Sequence, residues 1–244
     1  MDPLANPLWH ALEGPQHNVA ERTGLAARYR PDVAPFAALP DVAEPAAWNA
    51  LAELVGPRGV ALLFRAAVDV PGGWEELFQG RGIQMLAPAA DDPEPDPRPF
   101  DELTTADVPA MLDLVARTQP GPFAPRTIEL GTYLGAWDGD ALVAMGGERM
   151  RLAGHTEISA VCTDPAYRRH GLARDLVRTL ARRIRARGER PLLHVAADNT
   201  SAIRLYETLG FEVTRSLTVV GLRAPSRPSG GTSTSSVGPG LHEG

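Results

Sequence analysis

The chain has 244 residues, of which 43% are apolar and 22% charged, and these proportions are ordinary for a globular protein with a buried core. Its formal net charge is −6, and all 24 of its Lys and Arg residues are arginines. A net negative charge argues against a general nucleic-acid binder, so we expect no nucleic-acid partner. An anionic ligand would need a local concentration of arginine.

Cysteine content and hydropathy narrow the class of protein further. Cys162 is the one cysteine, which excludes an internal disulfide and a cysteine-based zinc cluster. We therefore expect no metal and a reducing, cytoplasmic environment. The first residues lack a charged region followed by an apolar core, and no apolar run reaches membrane-spanning length. The sequence predicts a soluble protein that is neither exported nor membrane-bound.

Composition divides the chain into four parts. Residues 1–86 form an N-terminal lobe, residues 87–97 a linker rich in proline and acid, residues 98–223 a second domain, and residues 224–244 a Gly/Ser/Pro-rich tail that we expect to be disordered. The lobe reads as a small α/β unit. Its predicted elements are strands over 28–30, 59–65 and 83–86, a helix over 45–55 and a helical turn over 74–79.

The second domain has the clearer pattern. Its apolar periodicity and turn signals predict alternating strands and helices, which define a mixed α/β fold with helices flanking a central sheet. We expect strands over 100–103, 132–137, 141–152, 155–163, 191–196 and 211–222. We expect helices over 106–118, 126–130, 171–187 and 201–209.

The segment 163–173 carries the strongest chemical signal. It reads Thr-Asp-Pro-Ala-Tyr-Arg-Arg-His-Gly-Leu-Ala and joins an apolar strand to a basic amphipathic helix. A glycine at this junction allows a tight turn, and the helix N-terminus then presents unpaired N–H groups with roughly half a positive charge. With Arg168 and Arg169 beside it, the segment predicts a binding site for a phosphate-type anion.

A second motif follows about thirty residues later. Residues 199–211 read Asn-Thr-Ser-Ala-Ile-Arg-Leu-Tyr-Glu-Thr-Leu-Gly-Phe. Together with Arg168-x-x-Gly171-x-Ala173, this segment resembles the GNAT superfamily of CoA-dependent N-acyltransferases, which carry Asn-x-x-Ala-x-x-x-Tyr-x-x-x-Gly-Phe after the same loop. The resemblance covers about residues 98–222. The whole chain also resembles two-lobed members in which a degenerate GNAT-like half precedes the active one.

The resemblance implies a GNAT-like fold with a mixed, mostly antiparallel sheet, and it assigns a role to each motif residue. The backbone of Cys162 and Thr163 would line the pantetheine arm of acetyl-CoA, Asn199 would bind the pantetheine amides, and Tyr206 would donate a proton to the leaving thiolate. The pyrophosphate would be bound by the loop residues Arg168, Arg169, His170, Gly171, Leu172 and Ala173.

The reaction also needs a base, because only a neutral amine attacks a thioester. Glu157, on the strand that enters the loop, is the first candidate, and Glu148 and Glu129 are alternatives. The sequence leaves open whether Glu157 is instead a salt-bridged structural residue. It also leaves open whether Asn199 is only a helix cap and Tyr206 only a core residue.

Two functional hypotheses follow. In the first, the chain is an N-acetyltransferase that takes a CoA thioester and an amine acceptor as partners and works as a monomer or homodimer. In the second, it is a non-catalytic acyl-CoA sensor or a partner-docking module on the same scaffold. The sequence does not identify the acceptor.

Overall fold

A computed structural model describes residues 2–89 and 97–226. Eleven strands are described, numbered β1 to β11 in chain order. They are Ala20–Thr23, Ala26–Tyr29, Phe36–Ala38, Val60–Arg65, Glu75–Leu86, Asp101–Glu102, Tyr133–Asp138, Ala141–Leu152, His155–Thr163, Arg190–Ala196 and Glu212–Arg223.

Five α-helices, α1 to α5, pack against these strands. They are Pro7–Glu13, Pro45–Val55, Val108–Thr118, Leu172–Ala186 and Thr200–Thr208. The predicted elements of the second domain are confirmed to within a few residues, with the segment over 126–130 present as a short 3-10 helix, Thr127–Leu130. The mixed α/β fold class is therefore confirmed.

All eleven strands belong to one sheet, in the order β1-β2-β3-β4-β11-β5-β10-β9-β8-β7-β6. Two neighbouring pairs are parallel, β3 with β4 and β9 with β10, and the other pairs are antiparallel. Each parallel pair is joined by a helix, α2 or α4, because parallel strands need a crossover connection. The sheet is thus mostly antiparallel, as predicted.

The strand order shows that the two halves of the chain have matching topologies. In one half β3, α2 and β4 form a crossover, and in the other half β9, α4 and β10 do the same. The final strand of each half pairs with the other half: β5 pairs with β10, and β11 pairs with β4. Strands β5 and β11 also pair with each other along nearly their whole length. The halves are joined through exchanged strands rather than through a linker alone.

Helix α4 forms because its apolar residues recur on one face. Leu172, Leu176, Val177, Leu180 and Ile184 are buried, while arginines cover much of the remaining surface. The backbone turns just past the helix at Gly188, which has a φ of +78°. The buried face of α4 packs against β8, β9 and β10, and this packing fixes the N-terminus of α4 at the end of β9.

The parallel strands β9 and β10 separate partway along their length. Their pairing extends from His155 and Arg190 to Ile158 and Leu193, and it stops there although both strands continue. A bulge follows in β9, where Ala160 has a φ of +53° and one extra residue opposes β8. The edge of β9 from residue 159 to 163 is therefore open toward β10.

The matching opening in the other half is filled by the chain itself. Pairing between β3 and β4 covers Phe36 with Leu62 and Ala37 with Leu63. Beyond it, the side chain of Asn6 donates to Leu39 O at 2.9 Å, and Ala5 O accepts from the next residue after β4, Ala66 N, at 3.1 Å. The segment before α1 thus bridges the two strands where they would otherwise part.

The N-terminal half departs from the prediction in two ways. Helix α1 and strands β1 and β3 lie where the sequence predicts no element. The helical turn predicted over 74–79 is wrong, because residues 75–86 form the long strand β5. Its outer part, residues 75–81, is exposed on both faces and lacks the two-residue alternation that marks a half-buried strand. Pairing with β11 holds these residues extended, and a tertiary contact of this kind has no local sequence signal.

Several expectations are not tested by the described residues. The center of the predicted linker, 90–96, and nearly all of the predicted tail, 227–244, lie outside them. The division of the chain at residues 86, 97 and 223 stays a prediction, as do the cytoplasmic location and the oligomeric state. Over residues 2–89 and 97–226, no helix is long and apolar enough to cross a lipid bilayer.

Candidate active site

The loop between β9 and α4 has the shape of an anion site. The Asp164 side chain accepts from Ala166 N at 2.9 Å and begins a short 3-10 turn. Arg169 and Gly171 both have a left-handed backbone, with φ of +66° and +80°. Among the described residues, none accepts a hydrogen bond from the backbone N–H groups of 169–174. These donors converge at the N-terminus of a fifteen-residue helix, where the dipole also favours an anion.

Arg98 supports this loop from outside the motif. Its guanidinium donates to Asp175 Oδ2 at 2.7 Å and to His170 O at 2.9 Å. Asp175 is 4% exposed and lies in the first turn of α4, so the ion pair joins the segment before β6 to the loop. The sequence analysis missed both residues, because Arg98 lies among prolines over seventy residues away and has no local pattern.

The side chains of Arg168 and His170 lie at the exposed rim of the loop. Arg168 Nε donates to Thr163 O at 3.4 Å, and His170 Nδ1 lies 3.2 Å from Tyr167 O. Of the two remaining predicted loop residues, Leu172 packs its side chain inward and Ala173 is half-buried, and the backbone N–H groups of both are among the unpaired donors.

Two predicted residues lie at the open edge of β9. The Cys162 thiol is buried, and burial raises its pKa, so the group stays a protonated apolar side chain rather than a nucleophile. Thr163 Oγ1 is buried and has no hydrogen-bond partner among the described residues. An unpaired buried hydroxyl costs roughly 1–3 kcal/mol.

The second motif lies across the opening. Asn199 caps α5, and its Oδ1 accepts from Ala202 N at 3.2 Å and from Ser201 Oγ at 3.0 Å. Its Nδ2 makes no hydrogen bond with any residue in the described ranges, so the cap leaves the amide donor available. Asn199 is thus a helix cap that also keeps a free donor at the end of β10.

Tyr206 lies on α5 with its ring half-buried. It packs in the same apolar cluster as Val161 of β9 and Val195 of β10, the strands that part at the opening. Its ring centroid is 6.1 Å from that of Phe211. Desolvation raises the pKa of the Tyr206 hydroxyl to about 12, so the phenol keeps its proton at neutral pH.

Glu157 lies in a buried ion pair. Its Oε1 accepts from Arg149 Nη2 at 2.6 Å and lies 2.8 Å from His194 Nδ1, and its Oε2 accepts from Arg149 Nε at 2.8 Å. Burial would raise the pKa of Glu157, but Arg149 and His194 outweigh it and lower the pKa to about 2. A fully buried carboxylate with these donors is a weak base, so its contacts favour a structural or orienting role.

His194 is the partner that the sequence analysis missed. It follows the last residue of β10 that pairs with β9, and its Nε2 lies 3.0 Å from Gln84 Nε2, an amide that also donates to Leu4 O. An amide donor at Nε2 requires that nitrogen to be unprotonated, which places the proton on Nδ1 toward Glu157. Burial also lowers the pKa of His194, so the imidazole is neutral.

The alternative base candidates lie elsewhere. Glu148 is buried and accepts from Arg187 at 2.9 Å, and Glu129 is ion-paired with Arg126 and Arg30. Both line an open groove of about 440 Å³ near the start of β7. Cys162, Tyr206 and Glu157 are not among its lining residues, whereas Tyr133, which packs in one cluster with Cys162, is one of them.

Comparisons with known proteins agree with this architecture. The FR47-like protein family matches residues 133–220, which run from β7 into β11. A GNAT-family protein of known structure from Novosphingobium aromaticivorans is 38% identical with a TM-score of 0.83, and the match covers 93% of this chain and 100% of that one. A GCN5-related N-acetyltransferase from Kribbella flavida, 19% identical with a TM-score of 0.59, shares the fold over 91% of this chain and 96% of its own.

Curated relatives match part of the chain. The N-alpha-acetyltransferase RimI of Mycobacterium tuberculosis is 34% identical over 123 residues, which cover 45% of this chain and 75% of RimI. The mycothiol acetyltransferase of Corynebacterium glutamicum is 41% identical over 81 residues, or 33% of this chain. That match spans only 28% of the mycothiol acetyltransferase. The chain belongs to the GNAT superfamily of acyltransferases.

The loop contacts of Arg98 lead to a prediction. Replacing Arg98 by Ala removes the contacts to His170 O and Asp175, so we expect faster amide hydrogen exchange at Tyr167 and Asp175, whose N–H groups donate within the loop to Asp164 O and Gly171 O, because the loop loses its anchor. Arg183→Ala is the matched control, since it removes an ion pair at the far end of α4, with the exposed Glu102. Equal exchange rates in the loop of both variants and the wild type would contradict the anchoring role.

The lowered pKa of Glu157 predicts how stability depends on pH. Its pKa is about 2 when folded and ordinarily 4.5, so its contribution is fully present above pH 4.5 and is lost as the pH falls toward 2. The free energy of unfolding, measured with urea, should rise with pH between pH 2 and 5. This slope against pH should be smaller in Glu157→Gln. Glu129→Gln, which removes an exposed paired carboxylate, should change it less. An unchanged slope in Glu157→Gln would refute the assignment.

Proposed function

We propose that this protein is an N-acetyltransferase that transfers an acetyl group from acetyl-CoA to a primary amine by direct attack in a ternary complex. The single observation that carries the proposal is the opening between β9 and β10, which has a backbone anion site at one end and the Tyr206 phenol beside it. Membership of the GNAT superfamily supports the same reaction class.

The residues present fit a CoA thioester. The N–H groups of 169–174 suit a diphosphate, since several fixed donors match several anionic oxygens, and Arg168 and Arg169 add charge. The unpaired Oγ1 of Thr163 and the backbone edge of β9 offer partners for the amides of a pantetheine arm. Asn199 Nδ2 adds a donor on the opposite side of the opening.

Tyr206 is proposed as the proton donor to the departing thiolate. The phenol is protonated at neutral pH and packs among residues of both strands at the opening. An apolar surrounding favours proton transfer over release of a bare thiolate, because the charged form is poorly solvated there.

The base is proposed to involve Glu157 through His194. Glu157 accepts from His194 Nδ1, so the carboxylate holds the imidazole in one tautomer with Nε2 free of a proton. The Nε2 lone pair accepts from the Gln84 amide, so His194 can take up a proton only when that hydrogen bond breaks, whereas a carboxylate of pKa about 2 accepts a proton poorly in any arrangement. Glu157 then acts as a positioning residue rather than as the base itself.

The acceptor is proposed to be a small amine or the amino terminus of a peptide. One relative is named an N-alpha-acetyltransferase and another a mycothiol acetyltransferase, so the relatives differ in acceptor and do not select one for this chain. The second hypothesis, a non-catalytic acyl-CoA sensor, is not favoured, because Asn199 and Tyr206 of the second motif are both present.

A thiol-release assay tests the proposed function. Purified protein is mixed with acetyl-CoA and a panel of amines that includes amino acids, polyamines, aminoglycosides and short peptides, and free CoA thiol is measured. We expect release that depends on one class of amine. A protein that binds acetyl-CoA by calorimetry but releases no thiol with any amine would support the sensor hypothesis instead.

Replacing Tyr206 tests the proton donor. Tyr206→Phe keeps the ring in the cluster and removes the acidic proton, so we expect kcat to fall about 10²–10⁴-fold with little change in acetyl-CoA affinity. Tyr167→Phe serves as the control, because Tyr167 packs against the same cluster but its hydroxyl bonds the exposed Asp138. Full turnover in Tyr206→Phe would exclude the role.

A further inference from the structure

Tyr133 has a buried polar side chain that the proposed function does not use. It is 1% exposed, and its hydroxyl has no hydrogen-bond partner among the described residues. Tyr29 provides a comparison: it is equally buried, but its hydroxyl donates to Gln16 Oε1 at 2.6 Å. A buried hydroxyl without a partner lowers the stability of the fold. A ligand that accepted a hydrogen bond from Tyr133 would remove this loss.

The ring of Tyr133 lies over the neighbouring strand β8. Tyr133 begins β7 and pairs with Gly147 of β8, which in turn pairs with Ser159 at the start of the open edge of β9. A Cβ on Gly147 would lie 2.3 Å from the ring, so the glycine makes room for the ring to lie over β8. Phe123 fixes the ring from the side, edge to face, with centroids 5.6 Å apart.

The surroundings of the ring are apolar, with charge nearby. Tyr133 packs in one cluster with Met145 and Cys162, and Ala160 of the β9 bulge packs against the same cluster. Arg149 and Glu157 both act electrostatically on the hydroxyl, and burial raises its pKa. The group therefore remains a neutral O–H donor at physiological pH.

We propose that the Tyr133 hydroxyl donates a hydrogen bond to the carbonyl oxygen of the acyl group carried by CoA. This inference rests on the proposed function. A carbonyl oxygen is a pure acceptor, so it matches an unpaired donor. A donor directed at the acceptor amine would occupy the lone pair that must attack. Tyr133 is in register with Ser159 through Gly147 of β8. Ser159 lies on β9 three residues before Cys162, on the side away from the anion site.

The contact would have two consequences for the reaction. The hydroxyl would polarise the carbonyl, and it would strengthen its hydrogen bond as negative charge develops on that oxygen during attack. It would also distinguish acetyl-CoA from the product CoA, which has no acyl carbonyl. The loss of this contact after transfer would favour product release.

Calorimetric binding of two probes, acetyl-CoA and free CoA, tests the inference without knowledge of the acceptor. In Tyr133→Phe we expect acetyl-CoA to bind about 2- to 12-fold more weakly than to the wild type, the range for one hydrogen bond, while CoA binding stays unchanged. The melting temperature should be unchanged or higher, since the variant removes an unpaired buried hydroxyl.

Tyr29→Phe is the matched control, because it removes a paired hydroxyl from an equally buried tyrosine. It should lower the melting temperature and leave the binding of both probes unchanged. Equal binding of acetyl-CoA by Tyr133→Phe and wild type would overturn the inference and leave the proposed function intact. If the wild type bound neither probe, the proposed function would fail as well, and the two results are therefore distinguishable.

Discussion

The separation of β9 from β10 after Ile158 and Leu193 is the constraint on which the site depends. Up to that point the two strands share a parallel ladder, and beyond it the bulge at Ala160 turns β9 away from its neighbour. The backbone groups of residues 159–163 then lack sheet partners on the side facing β10. An opening of this kind must be compensated by a ligand or by solvent, since buried backbone groups are rarely left unpaired.

The two halves of the chain treat the same opening in opposite ways. In the C-terminal half, a loop with two left-handed residues and nearby arginines leads into α4, and the opening is left to a ligand. In the N-terminal half, Asn6 and Ala5 bridge the strand ends, and Glu44 precedes helix α2. A carboxylate at a helix N-terminus repels a phosphate, so this half has neither the space nor the charge for CoA. Because β5 and β11 are exchanged between the halves, the N-terminal half acts as a structural support for the C-terminal half.

Much of this arrangement was accessible from the sequence because local rules governed it. The α4 helix and its Gly188 turn, the loop at 163–173 and the capping role of Asn199 each depend on residues close together in the chain. Three other features depend on contacts between residues that are 37 to 130 positions apart in the chain. They are the strand β5, the Arg98 anchor and the neutral His194 beside Glu157. The motif could suggest Glu157 as a base, but only its contacts with Arg149 and His194 show how strongly its negative form is stabilised.

The stoichiometry of acetyl-CoA binding tests the account most directly. The two halves have matching topology, but the opening is free in the C-terminal half and filled in the N-terminal half. Isothermal titration calorimetry of the full chain should give one acetyl-CoA per chain, with binding strongly weakened by reversing the charge of the loop in Arg168→Glu. Two equivalents per chain would contradict the closure of the N-terminal opening, and binding insensitive to Arg168→Glu would contradict the assignment of the C-terminal one.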